Sequence, residues 1–268
     1  MRTCITQESA LGSWRPPRID PCMTALSQAL ADVLASRTIL HPHTIHLWRF
    51  ALDEAGELAR LRELLSPDER ARAQRYAFDT HRTRFITGRG RLRLILGAYS
   101  GVDARRLELA GGPGGKPSLG GGLGATGLRF NFSGSEDLGI VAVAQGREVG
   151  VDVERMRPIE RLDGLVEHSL SRSERAAYEA LPADRKLTAF YTAWTRKEAY
   201  MKATGRGLLL PLDGLDVSLE TGHGAVPLSI HGDADEGSRW SLRDFACGRE
   251  HRGALCAEGR GWGLVYVV

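Results

Sequence analysis

Leu65-Ser66-Pro67-Asp68-Glu69-Arg70-Ala71 and Leu170-Ser171-Arg172-Ser173-Glu174-Arg175-Ala176 are one phrase written twice, L-S-x-x-E-R-A. In the first copy Ser66 precedes Glu69 by three residues. The serine hydroxyl can accept the glutamate N–H while the glutamate carboxylate returns to the serine N–H, a reciprocal start to a helix. Pro67 fills the first helical position of the first copy, where a missing N–H costs nothing. That helix should run to about Phe78, and a second should span His81 to Ala98. The second copy should lead into a helix of roughly Asp184 to Thr204. Strands are expected at Thr44–Phe50, Arg129–Phe132, Gly139–Gln145 and Glu148–Glu154, the last returning against its predecessor after a turn at Gly146-Arg147. Further strands are expected at 215–219, 226–231, 239–246, 253–257 and 262–268. An echo followed by the same order of elements predicts an α+β fold of two related halves. These would be subdomains 41–154 and 155–268, behind a partly disordered extension, 1–40, with a short helix from Thr24 to Ser36. A site between paired halves is the common arrangement.

Composition excludes several classes. The chain has 268 residues, 42% apolar and 26% charged, as in ordinary soluble domains. No window approaches 18 apolar residues, and no apolar run follows a basic start, so neither a membrane span nor a secretory signal is read. Cys4, Cys22, Cys247 and Cys256 form no C-x-x-C and no zinc spacing, and are read as reduced thiols in a cytoplasmic protein. Net charge is only +3, yet from Arg60 to Arg106 twelve arginines face five acids. Such a stretch suits a phosphorylated ligand or an acidic partner, or simply a solvated helix face. In the helix from His81, Phe85, Leu92, Leu96 and Tyr99 lie on one side and Arg82, Arg89 and Arg93 on another. Residues 111–127 are glycine-rich and read as a loop carrying Lys116. Its glycines could turn backbone N–H groups toward a phosphate.

The chemistry concentrates in two places. Asp152 and Glu154 are two apart on a strand, so both carboxylates face one way while Val151 and Val153 face the other. Trp194-Thr195-Arg196-Lys197-Glu198-Ala199-Tyr200-Met201-Lys202 is the second place. Only four lysines, Lys116, Lys186, Lys197 and Lys202, stand among 36 basic residues, and two of them are here. A compact ammonium is not interchangeable with a guanidinium, so scarce lysines mark positions where arginine would not serve. Trp194, Glu198 and Lys202 are four apart and share a helix face. Asp152, Glu154 and Glu198 together offer three oxygen ligands, which suits Mg²⁺ and not zinc or iron. Lys197 and Lys202 flank the third carboxylate, and ammonium groups beside a metal suit a phosphoryl group in transfer. No P-loop is present.

Gly150-Val151-Asp152-Val153-Glu154 followed some forty residues on by W-T-R-K-E-A-Y-M-K resembles the 4′-phosphopantetheinyl transferases. The resemblance spans roughly Leu65 to Leu212. It also takes in His81-Arg82-Thr83, Gly115-Lys116-Pro117, Phe130-Asn131-Phe132-Ser133 and Gly205-Arg206-Gly207-Leu208 with Pro211-Leu212. It implies the larger single-chain, monomeric type, with pseudo-twofold subdomains and coenzyme A held between them. It also implies transfer of the phosphopantetheine arm to a serine of an acyl or peptidyl carrier protein, with adenosine 3′,5′-bisphosphate leaving. By matching position, Asp152, Glu154 and Glu198 would hold Mg²⁺, Glu198 would be the base, and Lys202 would offset charge on the pyrophosphate. Arg72, Arg82, Thr83 and Lys116 would meet the 3′-phosphate and adenine end, and Ser133 the phosphates.

One position departs from the family. A histidine usually stands between the two hydroxyl residues, where this chain has Ser133-Gly134-Ser135. That keeps a second reading open, a non-catalytic module that binds coenzyme A or a 3′,5′-bisphosphate, against which the intact carboxylates and Lys202 count. A third, another Mg²⁺-dependent phosphoryl enzyme such as a nuclease, is weakened by the scarcity of stacking aromatics beside the arginines. Neither nucleic acid nor membrane is expected as a partner.

Overall fold

In the computed structural model, residues 40–54, 56–207, 210–222 and 225–267 are described. The expected extension 1–40, its helix from Thr24 to Ser36, Cys4 and Cys22 therefore lie almost wholly outside the described residues. The first half runs β1 (Thr44–Ala51), α1 (Leu58–Leu64), α2 (Pro67–Gln74), α3 (Asp79–Ser100), β2 (Leu109–Gly111), β3 (Pro117–Leu119), β4 (Leu128–Ser135) and β5 (Leu138–Gln145). After β6 (Val149–Arg155) come α4 (Leu162–Ser169), α5 (Arg172–Glu179), α6 (Ala183–Thr204), β7 (Leu215–Val217), β8 (Ala225–Val226) and β9 (Leu228–Ile230). The chain continues through α7 (Ala234–Arg239), β10 (Trp240–Asp244), β11 (His251–Glu258) and β12 (Gly263–Val267). Helices and sheets are mixed, as an α+β reading requires. The strand expected at 226–231 is split by Pro227, which has no N–H to give a ladder.

Two four-stranded sheets, ordered β12-β1-β5-β4 and β6-β11-β10-β8, pack face to face. Alternation along each strand sorts the side chains into layers. Ile45, Leu47, Ile140, Ala142, Val149, Val151, Val153 and Leu255 fill the space between the sheets. Trp48, Phe50, Val141 and Val143 face outward onto Leu92, Ile95 and Leu96 of α3. Ala254, Cys256 and Leu242 face outward onto Ala199, Tyr200 and Ala203 of α6. The order is helix, sheet, sheet, helix.

Three expectations change. First, β6 does not return against β5; it pairs antiparallel with β11, from Val149 opposite Ala257 to Arg155 opposite His251. A tight turn at Gly146-Arg147 gives the chain its reversal but does not dictate which strand closes the ladder. Second, a cut after residue 154 falls inside β6, which belongs to the second sheet, while β12 joins the first sheet in parallel with β1. Third, α2 ends at Gln74 rather than near Phe78.

The repeated phrase does what its residues ask. Ser66 with Glu69 and Ser171 with Glu174 both form complete reciprocal caps. Each leads to a 22-residue helix that stops at a left-handed glycine, Gly101 or Gly205, a conformation that costs glycine least. The fifteenth residue of each long helix is a buried cation bonded to the capping glutamate. Arg93 donates from Nε to Glu69 at 2.6 Å, and Lys197 donates from Nζ to Glu174. Both cations also donate to backbone carbonyls beyond the long helix, Arg93 to Ala104 and Leu107 and Lys197 to Leu212.

Candidate active site

Strand β6 presents Gly150, Asp152 and Glu154 to α6. A Cβ at residue 150 would lie 2.2 Å from the Ala199 carbonyl oxygen, so only glycine lets strand and helix approach this closely. One turn beyond Ala199 the same helix brings Lys202 down onto Asp152. Asp152 is 2% exposed. Its Oδ1 accepts from Lys202 Nζ at 2.5 Å and from Ser133 Oγ at 3.0 Å, while its buried Oδ2 has no hydrogen-bond partner among the described residues. Lys202 Nζ also donates to Ser133 Oγ at 3.1 Å.

Glu154 and Glu198 complete the group. Burial, and next the charge of Asp152, hold both carboxyls above the usual carboxylate range; Lys202 works against this in each. Three acids, one buried and two half-buried, thus share one ammonium, and like charges so placed repel. An all-oxygen set with a buried, unbonded carboxylate oxygen is what a hard divalent cation would satisfy. Among the described residues no three histidine, cysteine, aspartate or glutamate side chains are drawn together as a ready-made metal cage. In their present arrangement, neutralisation of Asp152 falls to Lys202.

The seam between the sheets is unusual. Strands β4 and β6 are neighbours without a backbone ladder. Instead, Val151 N–H donates to Asn131 Oδ1 at 2.9 Å, Val153 N–H to Ser133 Oγ at 3.3 Å, and Arg155 N–H to Ser135 Oγ at 3.0 Å. Residues 131, 133 and 135 share one face of β4 by the strand's period of two. They supply in side chains the acceptors that a partner strand would otherwise supply. Ser135 Oγ also donates to Glu154 Oε2 at 2.7 Å.

Not every expected residue joins this group. Lys197, expected to flank the third carboxylate, is 1% exposed and turned away from it. Its ammonium donates to Glu174, to Ser169 O at 2.8 Å and to Leu212 O at 2.9 Å. Five residues on a helix turn through roughly 500°, so Lys197 and Lys202 point about 140° apart. Lys116 is tied to Glu148 Oε2 at 2.6 Å and to the Ala203 carbonyl oxygen at 2.9 Å, near the end of α6. Burial pulls its ammonium below the usual lysine range, with Glu148 opposing. Arg129 donates to the other oxygen of Glu148 at 2.7 Å. With Gly112 and Gly205, these residues line a cavity of about 410 Å³. Gly114 packs against the Gly205 carbonyl so closely that a Cβ would sit 2.0 Å from its oxygen.

The arginine-rich stretch is largely neutralised within the fold. Arg91 pairs with Glu54 and Glu57, Arg93 and Arg89 with Glu69, and Arg84 with Asp53 and Glu136. Arg91 and Arg93 are buried, against the expectation of a solvated face. Arg82 is held by Asp79 and by the Tyr76 carbonyl, Arg72 lies exposed over the Phe85 ring at 5.2 Å, and Thr83 is half-buried one position beyond Arg82. Gly134 is exposed, and a Cβ there would meet Leu52 at 3.0 Å and Phe132 at 3.3 Å. Asn131 and Ser135 lay within motifs quoted from the sequence but were given no role there, and Glu148 was not singled out. Three polar residues at period two in an otherwise apolar strand, N-F-S-G-S, were the available signal for the first two.

The profile of the 4′-phosphopantetheinyl transferase superfamily matches residues 148–256, which hold β6 and α6. The chain is 36% identical over 219 residues to the 4′-phosphopantetheinyl transferase HetI of Nostoc sp., covering 81% of this chain and 89% of that protein. It is 28% identical to a 4′-phosphopantetheinyl transferase of Bacillus subtilis, over 76% of this chain and 86% of that one. A solved ACPS–CoA complex from Chronobacterium ammoniagenes aligns with 42% of this chain and 98% of its own, at 20% identity and a TM-score of 0.33.

Proposed function

The chain belongs to the 4′-phosphopantetheinyl transferase superfamily, and on that premise we propose that it moves the 4′-phosphopantetheine arm of coenzyme A onto a serine of an acyl or peptidyl carrier protein. Adenosine 3′,5′-bisphosphate is the leaving product, and Mg²⁺ is the metal. What supports this reading is Lys202 bonded to the buried Asp152 where α6 crosses β6, with Glu154 and Glu198 near enough to feel the Asp152 charge. Asp152, Glu154 and Glu198 would hold Mg²⁺; Asp152 Oδ2, unbonded among the described residues, and the all-oxygen donor set fit it. When bound, Mg²⁺ supplies charge to the pyrophosphate oxygens as the bond to the leaving group breaks.

The side chains do the rest. Lys202 moves its ammonium between Asp152 and the pyrophosphate, offsetting charge that grows on the leaving oxygen. Glu198 takes the proton of the carrier serine hydroxyl, freeing its oxygen to attack the phosphorus of the phosphopantetheine arm. Ser133 orients Lys202 and meets the phosphates. Arg72, Arg82, Thr83 and Lys116 serve the 3′-phosphate and adenine end; for Lys116 this requires exchanging Glu148 for the ligand. The matched caps, helix lengths and buried cations of the two halves support a monomer built as a pseudo-dimer of subdomains. We place it in the cytoplasm; no helix among the described residues is long and apolar enough to cross a membrane.

Incubation with coenzyme A, Mg²⁺ and an apo carrier protein, read by mass spectrometry of the carrier, tests the transfer; no added arm at any metal concentration refutes it. Glu198→Gln separates the two roles of one residue. A rate that stays low at saturating Mg²⁺ and coenzyme A supports the base, whereas recovery toward the wild-type rate leaves Glu198 as a ligand only.

A further inference from the structure

The hydrogen-bond polarity of the seam assigns a task to a residue outside the machinery described so far. Ser135 Oγ receives the Arg155 N–H at 3.0 Å and lies 2.7 Å from Glu154 Oε2. A hydroxyl has one proton and two lone pairs. An N–H can only donate and an ionised carboxylate can only accept, so the backbone takes a lone pair and the one proton must point at Glu154. Ser133 repeats the arrangement two residues earlier, accepting from Val153 N–H and donating to Asp152 Oδ1. Asn131 continues the seam to Val151, and among the described residues no carboxylate is bonded to it. The backbone contact pins each serine oxygen to β6 itself, so the proton it presents moves with the strand that carries the acid.

We propose that Ser135 is a positioning residue for Glu154, holding its carboxylate in the orientation the metal requires; the inference rests on the metal reading above. Groups that hydrogen-bond to metal ligands typically change metal affinity by about ten- to a hundredfold when removed. The test is calorimetric titration of the full chain with Mn²⁺ as the probe, with urea unfolding of each variant alongside. Ser135→Ala removes the proton and should weaken Mn²⁺ binding by about ten- to a hundredfold, and Ser135→Thr, which keeps the hydroxyl, should restore it to within about threefold of wild type. Asn131→Ala removes a seam contact without a carboxylate partner, so it should lower stability and leave Mn²⁺ affinity unchanged. Ser135→Ala binding Mn²⁺ as tightly as wild type overturns the proposal. So does Asn131→Ala weakening Mn²⁺ as much as Ser135→Ala, because the loss would then come from a loosened seam. A wild-type protein that binds no Mn²⁺ overturns the metal reading itself, a different outcome from either of these.

Discussion

Lys197→Met tests whether two neighbouring lysines of one helix have separate duties. The Lys197 side chain is 1% exposed and Glu174 is 4% exposed. The ammonium satisfies Glu174 and two backbone carbonyls, and Glu174 also accepts from Ser171 N at 2.7 Å and Val217 N at 2.8 Å. Methionine fills similar volume but leaves the carboxylate charged and buried with only neutral donors. Breaking a buried pair from one side costs about 3–5 kcal/mol. Glu174→Gln should cost a comparable amount, by stranding the ammonium. The double variant strands no charge, so its cost should fall short of the sum by about 2–3 kcal/mol, the coupling expected of residues in contact. Urea unfolding followed by tryptophan fluorescence measures all four proteins. Stabilities of about 5–15 kcal/mol leave room for the single variants to remain folded in the cold, where turnover per folded molecule should stay near wild type. A Lys197→Met protein of wild-type stability, additive single costs, or lost turnover in a fully folded variant would each refute the reasoning.

Three further outcomes are expected. Lys202→Arg keeps the charge but puts a forked guanidinium where an ammonium meets Asp152 and Ser133; turnover should fall by about tenfold to a thousandfold with little change in unfolding, and an unchanged rate would show that lysine is not required. His46 is buried against Tyr99, and burial lowers its pKa from 6.5 to about 4. The folded protein therefore resists protonation that the unfolded chain accepts, and stability is lost as pH falls below 6.5, by about 2 kcal/mol between roughly pH 7.5 and pH 5; His46→Gln should lose less over the same range, and an equal loss would assign the effect to other groups. Gly134→His should tighten coenzyme A binding about tenfold at low pH, fading as the imidazole deprotonates, provided that Leu52 and Phe132 yield to the new Cβ; weaker binding in a titration at two pH values would show a site rebuilt around glycine.

Local rules reached far into this chain where the determinant was itself local. Period two put Asp152 and Glu154 on one face, spacing by four put Glu198 and Lys202 on another, and serine-to-glutamate spacing fixed the helix start at Ser66. The same arithmetic, applied to the five-residue step from Lys197, separates it from Lys202; scarcity of lysine was too coarse a guide, because a lysine can be singular for burial as well as for chemistry. The partner of β6 was not legible, since Gly146-Arg147 is compatible with any neighbour that offers a ladder, and the one chosen lies about a hundred residues away. Arginine counting misled for a related reason. The acids that neutralise Arg84 and Arg91, Asp53, Glu54, Glu57 and Glu136, lie outside the stretch that looked basic.

The parallel pairing of β12 with β1 bears on how the protein is made. Thr44 lies beside Gly263 and Trp48 beside Val267, so the first sheet waits for its last strand while more than two hundred residues emerge from the ribosome. Until then one edge of β1 is an open row of N–H and C=O groups on an apolar strand, a template for wrong pairing. Contacts between such distant segments are slow to form because loop closure precedes their reward. The first half is synthesised early but completed late, and the nascent chain is most exposed to aggregation during that interval.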